Sequence, residues 1–330
     1  MPVTVTIQDR DKKAAAEQAV PPAALDDYEM PGERREGTKA FAMWMLFIVV
    51  LVAGFSVAPA TRGIGIGIFV WWLAACIGYF FVAPKIIMRR LRMQGNEIIV
   101  NAKSQPRLQA VLSKGSGVLG IASPEAYLLP EGISQIRIYT PPNFLLVTQA
   151  TLDLLQPTEM DALILRHLVH FRQNHARRLM LMKLLNDTPP AARILIWPVG
   201  LYGFFLRMWW SDMAEMTADR LTLLLIKNHK VIASALLKQH AATDPLMGEH
   251  EITSQDVDAY IEQNGLISLE GREISTQYRL GQAIHENPYL EERLQALNNF
   301  AKSDEYKEAL QRLADARAKK TGVPVVAAKS

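Results

Sequence analysis

A single cysteine, Cys76, in 330 residues excludes an intramolecular disulfide and a cysteine-rich metal site. Glycine is too sparse, at 19 residues, for a collagen-like chain. Charge of one sign is missing too. The formal net charge is +3 and no long basic stripe is present, so nucleic acid is not an expected partner. Internal repeats are absent. Apolar residues make up 49% of the chain against 21% charged, and the mean hydropathy of +0.05 is high for a protein that meets only water. That balance excludes a fully disordered chain.

The apolar residues are concentrated. Residues 1–38 are polar, rich in Ala, Pro, Asp and Glu, and read as a disordered polar tail rather than a signal peptide. Two charge-free runs of 21 residues follow, Ala40–Ala60 and Ile64–Pro84. At about 1.5 Å per residue each reaches about 30 Å, the hydrocarbon thickness of a bilayer. Only Thr61–Gly63 connect them, so residues 39–84 are expected to form an antiparallel transmembrane hairpin with the lipid bilayer as its partner. Gly63, Gly65 and Gly67 offer close helix approach. Arg34, Arg35 and Lys39 precede the first span and Lys85, Arg89, Arg90 and Arg92 follow the second, with Arg62 alone between. The positive-inside rule then places both termini and the main domain in the cytoplasm of a bacterial-type inner membrane. The four basic residues after the second span also attract anionic lipid.

From residue 85 to about 318 the chain is long enough for a core of its own. Asn96–Ala102, Tyr127–Leu129, Gln135–Tyr139 and Asn143–Thr148 read as short strands. Beyond Pro157 the period turns helical: Glu159–Leu185, Ala214–Asn228, Val231–Ala242 and a charged helix or helix pair over Leu290–Ala318. Residues 319–330 read as a loose tail. Ile194–Trp210 is apolar but broken by Pro198, Gly200, Gly203 and Arg207. It reads either as an interfacial or re-entrant segment or as a buried core helix.

Histidines cluster in DALILRHLVHFRQNHARR, residues 161–178. SDMAEMTADRLTLLL follows at 211–225 and HENPYLEERLQAL at 285–297. Together with VTQATLDLLQPTEMDALI at 147–164, these segments resemble the HtpX-like membrane zinc endopeptidases, relatives of the CAAX prenyl proteases. The resemblance covers roughly residues 95–300. It implies a mostly α, α+β fold: a membrane hairpin followed by a gluzincin-type domain with a small sheet, Asn143–Thr148 forming the sheet edge that pairs with extended substrate. The family pattern is an HExxH helix, an ExxAD helix with the third zinc ligand, and a His-Pro…Glu-Arg segment. Aligned on the flanks, Arg166 stands at the first His ligand and His167 at the catalytic Glu. His170 keeps the second His, Glu215 the third ligand and Asp219 the Asp of ExxAD. His285 and Arg293 match the tail segment, the arginine tying segments together.

Two histidines four apart on a helix address one ion, and the Glu between them takes the proton of the zinc-bound water. A guanidinium has no lone pair to give and repels a dication. Three readings follow. In the first, the chain is a pseudoprotease without catalytic residues, cofactor or metal, acting as a binding or scaffold subunit in a membrane-protein complex. In the second, zinc is held by the altered ligands His167, His170 and Glu215, assisted by His175 or His285, and the protein is an active quality-control metalloendopeptidase. In the third, the histidines are core or surface residues of a protein with another membrane role. Under the first, Arg166 is expected to fill the former metal position and pair bidentately with Glu215, with His170 or Asp219 nearby.

Overall fold

The computed structural model describes residues 25, 27–57, 59–82, 85, 89, 98–189, 193, 196–242 and 290–321. Proline and glutamate set the start of its central helix. Pro157 occupies the first turn, where its missing N–H costs nothing, and the Glu159 carboxylate accepts the Gln156 N–H at 2.8 Å, closing a capping box. From there α5 (Pro157–Arg172) runs with Leu163, Ile164, Leu168 and Val169 fully buried.

Around α5 lie α3 (Pro106–Leu119), α8 (Ser211–Ile226) and α9 (His229–Ala241). Gly115 of α3 lets α5 approach closely, because a Cβ there would meet Leu165 and Leu168 within 2.7 Å. Glu159 also ties α5 to α9, accepting from Ser234 at 2.6 Å and Lys238 at 3.0 Å. Helices α10 (Leu290–Lys302) and α11 (Asp304–Thr321) close the far side against α8. The short α4 (Gln149–Leu154) links the sheet to α5, and α6 (Ala176–Asp187) follows it.

The sheet is small and mixed, with strand order β1-β2-β4-β3 for β1 (Ile98–Ile99), β2 (Glu125–Leu129), β3 (Ile136–Tyr139) and β4 (Phe144–Thr148). β2 and β4 are parallel; the other two pairings are antiparallel. Period-2 alternation divides its side chains. Ala126, Leu128, Ile138, Leu145 and Val147 join the main core, while Tyr127, Leu129, Tyr139, Phe144 and Leu146 form a second cluster with Met180 of α6. One expectation is overturned here. Asn143–Thr148 is not the sheet edge: β4 pairs on both sides and all five of its residues are buried. The edge beside α6 is β3, whose Ile136 and Arg137 are only half-buried.

A third apolar cluster holds the N-terminal helices. α1 (Glu33–Val57) is long and apolar enough to cross a membrane. Much of its apolar surface is exposed, as at Leu46, Val50 and Val57. α2 (Arg62–Ile77) is a shorter apolar helix, continued by a π-helical turn over Gly78–Val82. The two pack together, and of the three glycines at the connector only Gly65 is pressed close: a Cβ there would meet Ser56 Oγ at 2.4 Å, while Gly63 and Gly67 face open space. Ile194–Trp210 contributes α7 (Trp197–Trp209), which packs on α1. Trp44 stacks on Tyr202 at 4.7 Å and donates its indole N–H to the Pro198 carbonyl at 2.6 Å.

Two boundaries differ from the sequence reading. The polar stretch 1–38 lies mostly outside the described residues, but its end is built into the fold: Leu25 and Tyr28 are buried, and α1 starts at Glu33, inside that stretch. Glu33 and Glu36 give the first turn the acidic residues that a helix N-terminus favours. The second difference is that 159–185 is not one helix. α5 ends at Arg172, and Asn174 takes the left-handed conformation at φ 58°. The Asn174 N–H donates to Phe171 O at 3.2 Å and the His175 N–H to His170 O at 2.9 Å, the paired bonds of a Schellman cap.

Asparagine tolerates φ > 0 because its short polar side chain bonds locally, whereas a Cβ without that compensation costs about 1–2 kcal/mol there. Asn174→Ala should therefore lower stability by about 1 kcal/mol, while Asn174→Gly should leave it unchanged or raised. Urea denaturation of the two variants in detergent checks the order; equal loss in both would remove the conformational argument.

Candidate functional site

The site is set by three helices and one cap. α5 carries Arg166, His167 and His170 on the face turned toward α8. α8 supplies Glu215 and Asp219, four apart and so on one side of that helix. α10 contributes Arg293. Arg166, His170, Asp219 and Arg293 are all buried. Of the sequence-marked positions, Arg166, His170, Glu215, Asp219 and Arg293 converge; His285 lies outside the described residues.

Arg166 does meet Glu215, but not as a bidentate pair. Its guanidinium is forked between two acids. One terminal nitrogen contacts Glu215, and Nε donates to Asp219 Oδ1 at 2.7 Å. Arg293 grips Asp219 from the other side, Nε to Oδ2 at 2.9 Å and Nη2 to Oδ1 at 3.0 Å, and its Nη1 stands 3.6 Å from Glu215. Two cations and two anions therefore close on each other in a buried space, with charge balanced. Burial alone would push the Asp219 carboxyl up, but Arg293 and Arg166 override it and hold it below its usual value. Burial, reinforced by the nearby Arg293, brings Arg166 down to about 10, where it still carries its charge at neutral pH.

His167 and His170 are held neutral. Burial, then the charge of Arg166, lowers His167 to about 3, and the same two causes take His170 well below its ordinary value. His167 donates Nδ1–H to the Leu163 carbonyl at 2.6 Å, one turn back on its own helix. A base that weak takes little of a proton at neutral pH. His170 has its Nε2 3.7 Å from Glu215 and its Nδ1 3.2 Å from Nδ1 of His175. The Schellman cap at Asn174 is what returns the chain so that His175 stands beside His170.

His175 leads to a residue the sequence reading passed over. Its Nε2 lies 2.7 Å from Glu33 at the start of α1. Glu33 also accepts from the Trp210 indole at 3.2 Å and from the Thr217 hydroxyl. A continuous chain of polar contacts thus runs from Asp219 through Arg166, Glu215, His170 and His175 to the first turn of α1. The missed signal was the start motif itself: Pro31-Gly32 followed by Glu33 and Glu36, the pattern of a helix N-terminus.

A cavity of about 420 Å³ opens beside these groups, bordered by the β3 edge at Arg137, by Met180 and Lys183 of α6, and by Arg166, His170 and Glu215. The donor set does not fit zinc. The position beside Glu215 and His170 is filled by a guanidinium, which has no lone pair to give. Among the described residues no three His, Cys, Asp or Glu side chains are grouped to hold a metal ion.

Stripping one partner from a buried pair costs about 3–5 kcal/mol. Arg166→Ala should fall near the lower end of that range, because Arg293 stays on Asp219 and near Glu215. The double variant Arg166→Ala, Glu215→Ala should recover part of the loss. Chemical denaturation in detergent reads both; a neutral Arg166→Ala would mean the cluster contributes nothing to the fold.

No family model and no solved structure matches the chain. It is 25% identical over 228 residues to the plastoglobule-localized metallopeptidase 48, chloroplastic, of Arabidopsis thaliana, across 66% of this chain and 63% of that protein. The chain thus spans less than two thirds of that relative's length. At this distance the chain is metallopeptidase-like.

Proposed function

We propose that the chain is a membrane-anchored, HtpX-like pseudopeptidase. It keeps a peptidase-type cleft, has lost the metal chemistry, and acts as a binding or scaffold subunit of a membrane-protein complex. The observation that carries this reading is Arg166 forked between Glu215 and Asp219. In the family pattern Arg166 stands where a neutral imidazole gives a lone pair to zinc, and His167 where a carboxylate takes a proton. A guanidinium there supplies charge balance to the acids in place of a dication, so the helices stay cross-linked while the electrophile and the activated water are both lost. A gluzincin-type domain is part of the same proposal. It is supported by the order of the segments around Arg166, Glu215 and Arg293 and by the sheet beside α5. Against the altered set His167, His170 and Glu215 stands the Arg166 guanidinium, which is placed on Glu215 where that set would need a cation of its own.

Retained binding would use the cavity and the β3 edge, where an extended segment adds by strand pairing. The anchor is the pair α1 and α2, read as a hairpin with both termini and the main domain on the cytoplasmic side of a bacterial-type inner membrane. Exposed apolar side chains along both helices and the basic flanks support that arrangement. On this reading α7 lies in the cytoplasmic leaflet beside α1.

Two measurements test the proposal. The purified protein should not cleave casein with or without added zinc. Chelator-sensitive cleavage that disappears in His170→Ala would overturn inactivity. A reporter fused after Arg92 should work only as a cytoplasmic enzyme, and alkaline-phosphatase activity at that fusion would overturn the topology.

A further inference from the structure

A second, smaller cavity lies away from the charge cluster, between α6 and α7. Its volume is about 180 Å³. The walls are apolar, from Leu185, Ile196 and Phe204, and the floor is opened by Gly200 and Gly203 of α7. Two guanidiniums, Arg193 and Arg207, border it. Arg193 donates from Nε to the Thr188 carbonyl at 2.8 Å, and Arg207 from Nη2 to the Met182 carbonyl at 3.3 Å. An apolar slot with two cations at its rim is suited to a ligand that is apolar along one end and anionic at the other.

The depth of the slot can be read from its neighbours. α7 runs antiparallel to α1. Its first residue, Trp197, makes edge contacts with Phe47 and Trp71, inside the two apolar runs. Its last, Trp209, lies under Lys39, the last charge before the first run, at 4.8 Å. Arg207 is therefore at the polar boundary and Ile196 is deeper. Arg193 reaches back to Thr188, whose hydroxyl is 3.4 Å from Tyr79, six residues before Lys85. Both guanidiniums thus stand at the level where phosphates of the leaflet lie, with Trp209, Trp210 and Tyr202 near the same boundary.

We propose that this slot binds one anionic phospholipid of the cytoplasmic leaflet, its phosphate between Arg193 and Arg207 and an acyl chain along Leu185, Ile196 and Phe204. Guanidiniums recognise phosphate through paired N–H donors. Arg207 also borders the larger cavity, so the bound headgroup and any ligand of the cleft share one wall. The inference rests on the membrane reading above, which alkaline carbonate extraction of membranes tests separately.

The test uses the full-length protein, delipidated in dodecyl maltoside and given dioleoyl phosphatidylglycerol or dioleoyl phosphatidylcholine, with bound lipid counted by native mass spectrometry. One phosphatidylglycerol per chain should be retained, at least tenfold more tightly than phosphatidylcholine. Arg193→Gln with Arg207→Gln should lose at least tenfold, while Lys85→Gln with Arg89→Gln, basic residues outside the slot, should not. Gly200→Leu fills the slot without changing charge, and a Cβ there meets nothing nearer than Leu185 at 4.0 Å; it should abolish the adduct. Equal retention of both lipids, or an unchanged adduct in Gly200→Leu or in the double arginine variant, overturns the proposal. So does full displacement by millimolar glycerol 3-phosphate, which would make this a soluble-phosphate site. A dimer lost in Gly200→Leu with no lipid adduct would make the slot an interface between copies and overturn it equally.

Discussion

Four charges, three of them buried and the fourth nearly so, determine the centre of this protein. Arg166, Glu215, Asp219 and Arg293 come from three helices, and each cation is held by both acids. Taking such charges out of water is unfavourable unless every one is paired, so the helices must approach in the one arrangement that pairs them. The apolar contacts around α5 supply most of the driving force. The charges fix the register.

That register is passed on through polar contacts as well as apolar packing. His170 stands between the cluster and His175, and His175 reaches Glu33. The lowered proton affinity of His170 follows from burial and from the Arg166 charge, so its protonation depends on the residue at position 166. A single exchange at position 166 thus alters the chemistry of the next turn of helix as well as its own.

Much of this was legible in the sequence. The strands near 98, 127, 136 and 144 and the helices after Pro157 follow from local patterns, and the Arg166–Glu215 contact from the family resemblance. What was not legible depends on partners distant in the chain. β4 was taken for an edge, yet its apolar run FLLVT, without alternation, is the mark of a strand covered on both faces. The break at Asn174 is invisible to apolar periodicity, because only a left-handed residue marks it. Glu33 was lost because the first helix was measured by the absence of charge, and charged residues at a helix start belong to the helix.

α1 is one helix of 25 residues without a proline, from the buried Glu33 to the exposed Val57. Its lower end is bolted by Glu33 to His175, Trp210 and Thr217, within two side chains of the charge cluster. An unbroken helix behaves as a stiff rod. Rotation or tilt of its upper half, imposed by whatever surrounds it, therefore turns Glu33 with it, and the centre of the domain is mechanically coupled to the far end of α1.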